Sequence, residues 1–221
     1  MAKKRKVGRP RGSIGDARDA RRTEILDSLA AHVLRTKRLP ALQGIAKVCG
    51  LSVSTLVHYF GSRATVCKEL IRHFGGIGRQ QHLPRVRVPS GDADSSIKAV
   101  CDDIAQALLG PVHAIHEFGW VEGLERPEVA RIYLDDVLDA TLDAVAERIE
   151  AHARRGDLRS DDPRADALQL VAPVILASFH QKAFAGSETR PLDLRAIAAE
   201  SAARFLLIKK FASRSKKVTK K

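Results

Sequence analysis

No stretch of this 221-residue chain strings together the ~18 apolar residues that a membrane-spanning helix needs, so no membrane partner is expected. The basic amino terminus is not followed by the apolar core of a secretory signal, so a cytoplasmic protein is expected. Cysteine is scarce: Cys49, Cys67 and Cys101 are odd in number and far apart, which excludes a disulfide framework and fits a reducing compartment. Strand-like alternation bounded by turn residues is missing throughout, so an all-α fold is expected. Missing too are a phosphate-cradling glycine loop between strand and helix, a nucleophile elbow and an HExxH pair. Asp135, Asp136, Asp139 and Asp143 fall together on one helix and read as a solvated face. Neither an enzyme nor a cofactor is expected.

Charge is present in quantity and unevenly spread. The net charge is +12, with 29% charged residues beside 44% hydrophobic ones, a balance ordinary for a globular chain with a real core. Residues 1–12 carry six basic side chains and residues 209–221 carry seven, with no acid in either segment. Setting those thirteen charges aside leaves −1 for residues 13–208, divided into +8 over 13–89 and −9 over 90–208. A polyanion would therefore be attracted to the two ends and the amino-terminal third, and repelled by the middle.

The most informative stretch is Pro40 to Phe74. Leu42, Ile45, Ala46 and Cys49 lie at helical spacing over about 41–48. Gly50 offers the positive φ of a sharp turn, Leu51 plugs it, and Ser52 is a good N-cap for a second short helix ending at Tyr59. Two short helices joined through a glycine, the second rich in hydroxyl residues, form a helix-turn-helix that can enter the major groove of DNA. Ahead of it, Ala20–Lys37 is a helix with Ile25, Leu26, Leu29, Ala30, Val33 and Leu34 on one stripe; behind it, Ser62 caps a helix to about His73.

The residues Ile45, Ala46, Gly50, Ser52, Thr55, Leu56, Tyr59, Phe60, Ser62 and Arg63 together resemble the signature of TetR/AcrR-type bacterial transcriptional regulators. Ser54, Val57 and Leu42 depart from it, standing where Gly or Pro, Tyr and Thr are frequent. The resemblance implies a three-helix DNA-binding head, with a helical body that binds a small-molecule effector and forms a homodimer. It implies that Gln43, Val53, Ser54 and Thr55 face base edges and that Lys47, Tyr59 and Arg63 contact phosphates of double-stranded DNA. Ser52 and His58 lie on the same exposed side of the second helix.

Four segments result: a basic disordered arm (1–19), the head (20–74), a regulatory and dimerisation body (75–208) and a basic tail (209–221). In the arm, Gly8-Arg9-Pro10-Arg11 resembles an AT-hook, so Arg9, Pro10 and Arg11 either enter the minor groove or attract phosphates loosely. Residues 75–95 hold Gly75, Gly76, Gly78, Pro84 and Pro89 and read as a loop or broken helix. Helices follow over 97–109, 111–118, 127–156, 162–185, with Pro173 expected to kink or loosen the last of these, and then 192–211. Phe118, Trp120, Tyr133, Val137, Phe179 and His180 are the candidates for lining an effector pocket. His113 and His116, with Glu117 beside them, have an i, i+3 spacing that a metal could use, but no zinc-site pattern accompanies them and no metal is assigned. Apolar and small residues on the last two helices, among them Ala198 and Ala202, are expected at a four-helix dimer interface. The rival function is a protein that compacts nucleic acid without sequence preference through its basic ends.

Overall fold

The computed structural model describes residues 12–218, with side chains described over 15–210. Among these residues the chain is helical without a strand: α1 (Gly12–Thr36), α2 (Leu42–Val48), α3 (Val53–Phe60), α4 (Arg63–Gln81), α5 (Leu83–Arg87), α6 (Ala93–Leu109), α7 (Val112–Glu125), α8 (Pro127–Tyr133), a π-helical turn (Leu134–Leu138), α9 (Asp139–Arg155), α10 (Pro163–Lys182), α11 (Gly186–Thr189) and α12 (Leu194–Val218). None of these helices is long and apolar enough to cross a membrane. Local signals set many of the boundaries. Ser52, Ser62, Asp92 and Asp162 accept hydrogen bonds from first-turn backbone N–H groups, and Gly156 closes α9 at φ 78°.

Two apolar cores form. One joins Ile25, Leu29 and Val33 of α1, Ile45 of α2, Leu56 and Phe60 of α3, and Val66, Leu70 and Phe74 of α4; it continues into Phe118 of α7 and Val129 and Tyr133 of α8. The other is built from α6, α9, α10 and α12, with Leu83 and Val86 of α5 at its edge. The head core therefore runs without a break under α7 and α8.

Three stretches differ from the sequence reading. The first helix starts at Gly12, eight residues before Ala20, and α12 continues through the basic tail to Val218. Lys209 pairs with the buried Asp166 at 2.6 Å and Lys210 pairs with Asp94, so the start of the tail is tied to the body. Residues 75–95 are largely helical. A Cβ on Gly75 would lie 2.5 Å from the Asp136 carbonyl oxygen, so glycine is there to let α4 cross close over the π-helical turn. Arg79 of α4 donates to that carbonyl and, at 2.8 Å, to the Asp136 carboxylate. Pro84 sits in the first turn of α5, where it breaks no helical hydrogen bond. Pro173 lies inside α10 without ending it. Lastly, Ala198 and Ala202 are buried within their own protomer, packed in the body core, and do not form an outer face. The apolar outer face consists of Pro173, Leu176 and Leu168 of α10 with Leu207 and Ile208 of α12.

Candidate nucleic-acid interface

The helix-turn-helix has the expected chemistry. Gly50 adopts φ 63° between α2 and α3, and the Leu51 N–H donates to the Ala46 carbonyl across the turn at 2.9 Å. Leu56 and Phe60 fasten α3 to the head core, which turns the opposite side outward. Gln43, Lys47, Ser52, Val53, Ser54, Val57 and His58 are exposed, while Thr55 and Tyr59 are half-buried. The Ser52 hydroxyl lies 2.9 Å from that of Ser54 and 2.8 Å from that of Thr55, and it also accepts from the Thr55 N–H. The hydroxyl side of α3 is thus organised around its own N-cap. Arg9, Pro10 and Arg11 lie outside the described residues.

Two arginines that the sequence reading missed hold the far end of α3. Arg22 donates to the Tyr59 carbonyl at 2.5 Å, pairs with Glu69 of α4 and lies 4.8 Å over the Phe60 ring. Arg18 donates to the His58 carbonyl at 3.4 Å. These are the orphan carbonyls of the helix C-terminus, where cations are favoured. Partners 37 and 40 residues apart leave no periodic signal in the sequence.

Arg63 corrects a specific expectation. In the structure its guanidinium does not face outward toward a phosphate: it forms a two-point pair with Glu122 of α7, at 2.8 and 2.6 Å. Two further donors go to the carbonyls of Pro40 (3.0 Å) and Leu39 (2.6 Å). The hydrogen bond that Arg63 donates to Glu122 raises the Arg63 pKa, so the charge is fixed. Desolvation, then the Glu122 carboxylate, pushes the neighbouring Cys67 thiol up to about 12, which makes it unreactive.

The six residues assigned to an effector pocket fall in two groups bridged by Trp120, which stacks on Phe179 and interacts with the Tyr133 hydroxyl. Phe118 and Tyr133 are sealed in the core that continues from the head, and Val137 packs against it. Phe179 belongs to the body core, stacks on the partly exposed Trp120 at 4.0 Å between ring centroids and meets His113 edge-on at 5.5 Å. His180 is half-buried against Gly186, where a Cβ would lie 2.4 Å from its Nδ1. The groove of ≈ 700 Å³ between α10 and α12 is lined by none of the six; Pro173, Ile197, Ser201 and Ile208 are among its walls.

The two α7 histidines are occupied by protein partners. His113 shares hydrogen bonds with Ser178 at 2.8 Å and Glu117 at 3.1 Å, and His116 shares one with the Tyr133 hydroxyl at 2.6 Å. Burial drives the His116 pKa down to about 4 and lowers that of His113 in the same direction. An imidazole neutral in the fold but protonated in the unfolded chain destabilises the fold as pH falls from 6.5 toward 4, because the unfolded state binds the extra proton. For His116 the loss is about 2–3 kcal/mol by pH 4.5. Urea unfolding of wild type and His116→Gln at pH 7 and pH 4.5 checks this. The stability gap between them should shift by that amount in favour of the variant, and a gap independent of pH would contradict it.

Comparison with known proteins accords with this geometry. Residues 97–208, half of the chain, match the family model described as AefR-like transcriptional repressor, C-terminal domain. A TetR-family regulator from Mesorhizobium loti has the same fold at a TM-score of 0.73 and 16% identity, with 86% of this chain and 97% of that one covered. SmeT, the repressor of the Stenotrophomonas maltophilia multidrug efflux pump SmeDEF, aligns at TM-score 0.57 and 20% identity over 85% of this chain and 89% of its own. Thermus thermophilus FadR, a TetR-family repressor in complex with lauroyl-CoA, aligns at 0.58 and 19% over 84% and 93%. No curated protein matches the sequence. The three structures establish the fold, and the family model covers the body that the helix-turn-helix signature does not. Head and body together place the chain in the TetR/AcrR family of DNA-binding helix-turn-helix transcriptional regulators.

Proposed function

We infer that this protein is a one-component repressor that binds a palindromic operator as a homodimer and leaves it when a small-molecule effector occupies the body. The observation that carries this reading is the outward face of α2 and α3. Gln43, Lys47, Val53 and Ser54 are exposed together while Leu56 and Phe60 anchor the same unit to the core. Gln can pair bidentately with adenine, Ser can serve several bases, Val53 can pack on a thymine methyl, and Lys47 suits a phosphate. Two such heads related by a two-fold axis would meet successive major grooves about 34 Å apart. The dimer contact we assign to the outer face of α10 and α12, and the effector to the Trp120 side of α7, where the exposed Trp120 ring covers the buried Phe179. An effector acts by its differential affinity for the two head spacings. The basic ends supply attraction to any DNA.

Base reading and phosphate attraction separate in one comparison. Gln43→Ala should cost about 1–3 kcal/mol on the cognate site and far less on random DNA. Lys47→Ala should weaken both alike and lower the log–log salt slope by about 0.9. Equal losses for Gln43→Ala on both DNAs would show that the exposed face does not read bases.

A further inference from the structure

Helix α7 carries two buried carboxylates, Glu117 and Glu122, 7% and 5% exposed, and both are directed at the head. Their target is the five-residue connection 37–41 between α1 and α2. Glu117 pairs with Lys37 at 3.1 Å and Arg38 at 3.4 Å. Glu122 grips Arg63, and Arg63 in turn donates to the carbonyls of Leu39 and Pro40. Four successive residues of the connection are thus held by α7, directly or through one guanidinium. The connection also opens on Lys37 at φ 60°, a left-handed conformation that a non-glycine residue keeps only when its surroundings impose it. On its other side the grip reaches the body: His113 links Glu117 to Ser178 of α10, Lys37 Nζ lies 3.4 Å from the Lys182 carbonyl, and Arg126 braces Glu122 at 2.9 Å.

We propose that Glu122 is a positioning residue for DNA binding: through Arg63 it holds the α1–α2 connection, and with it α2 and α3, at one orientation on α7. It need not touch DNA. A planar guanidinium held at two points by a carboxylate has one geometry, which an amide offering a single acceptor cannot reproduce. Loss of the carboxylate leaves the loop carbonyls with a donor that is no longer aimed, so the reading unit pivots while the body stays folded. The inference rests on the dimeric operator-binding reading above for its consequence, and on the Arg63 contacts for its cause.

The test uses full-length protein, wild type against Glu122→Gln and Arg63→Lys. Hydrogen exchange without DNA reports the cause: peptides within 37–61 should exchange at least about 5-fold faster in both variants, with peptides of α9 and α12 unchanged. Binding to the palindrome recovered by selection from random DNA, and to the same site with one central base pair inserted or removed, reports the consequence. Wild type should lose about 10-fold or more on the altered spacings, whereas Glu122→Gln should lose less than about 3-fold. Unchanged exchange over 37–61, or acceleration spread evenly over the chain, overturns the proposal by making the pair a bystander or a general stabiliser. Faster exchange with undiminished spacing discrimination overturns it too. A selection that returns no palindrome would instead refute the dimeric operator reading, and the exchange data would still decide whether Glu122 fixes the head. Glu122→Asp, which keeps the charge and shortens its reach, should fall between the two if Glu122→Gln proves insoluble; wild-type behaviour from Asp would also overturn the positioning role.

Discussion

Ile208→Arg is expected to turn the protein into a soluble, folded monomer that binds its operator at least about 100-fold more weakly, because the two half-sites then bind without linkage. Ile208 is 63% exposed in the protomer and lines the groove between α10 and α12. Leu176 at 65%, Leu168 at 51% and Leu207 at 73% add to the exposed apolar surface of these two helices. Exposed apolar side chains in that number on two adjoining helices mark an interface, and a two-fold copy of the same face is its natural cover. In the free protomer an arginine at 208 would extend into water at little cost to the fold. In the dimer it would be stripped of water, and the nearby carboxylates of Glu200 and Asp166 are already paired with Arg204 and Lys209. Sedimentation velocity decides it: a stable dimer of Ile208→Arg with undiminished operator affinity would place the interface elsewhere.

Arg148→Met should lower stability by about 3 kcal/mol, the scale for breaking a buried charged network. Arg148 is 3% exposed in α9, yet among the described residues its hydrogen bonds go to no carboxylate. It donates instead to the Val86 carbonyl at 2.6 Å, the Arg85 carbonyl, and the Ser96 carbonyl and hydroxyl at 3.2 and 2.7 Å. The first two belong to the end of α5, whose carbonyls have no intrahelical donor. Desolvation lowers the Arg148 pKa, partly offset by Asp103 at a distance, but the group keeps its proton. Methionine fills the space without replacing a single donor, so the Arg85 and Val86 carbonyls at the end of α5 and the Ser96 hydroxyl lose this partner. Thermal unfolding should shift down by roughly 6–12 °C on that account. An unchanged midpoint would mean that the α5 carbonyls reach water and that the arginine contributes little.

How much of this was legible beforehand depends on where the determining contact lies. Ser52, Ser62, Gly50, Asp162 and Gly156 act within one turn of their own position, so the head helices and several body boundaries could be read directly. Gly75 could not be read that way: as a sequence signal it breaks helices, but its role is close contact with a carbonyl 61 residues away. Arg63 is similar, since its partner Glu122 lies 59 residues on and nothing in the local pattern distinguishes a guanidinium facing DNA from one facing α7. Glu117 and Glu122 did leave a trace, being charges inside a helix otherwise rich in apolar residues. Helical periodicity also shows that a face is apolar without showing what covers it. Ala198 and Ala202 are covered by their own chain, and the outer face of α10 and α12 is not. For the same reason the aromatic residues of the middle helices could be named but not grouped: Phe118 and Tyr133 fall in one core and Phe179 in the other, with Trp120 between them.

A dimeric repressor must read a two-fold symmetric DNA sequence. Selection of bound fragments from random DNA by the full-length protein at physiological salt measures that directly. The expected result is one enriched palindrome whose half-site centres lie a whole number of helical turns, about 10 base pairs each, apart. Enrichment of no motif, with binding that depends on salt alone, is what basic ends without a reading head would produce, and it would contradict the account.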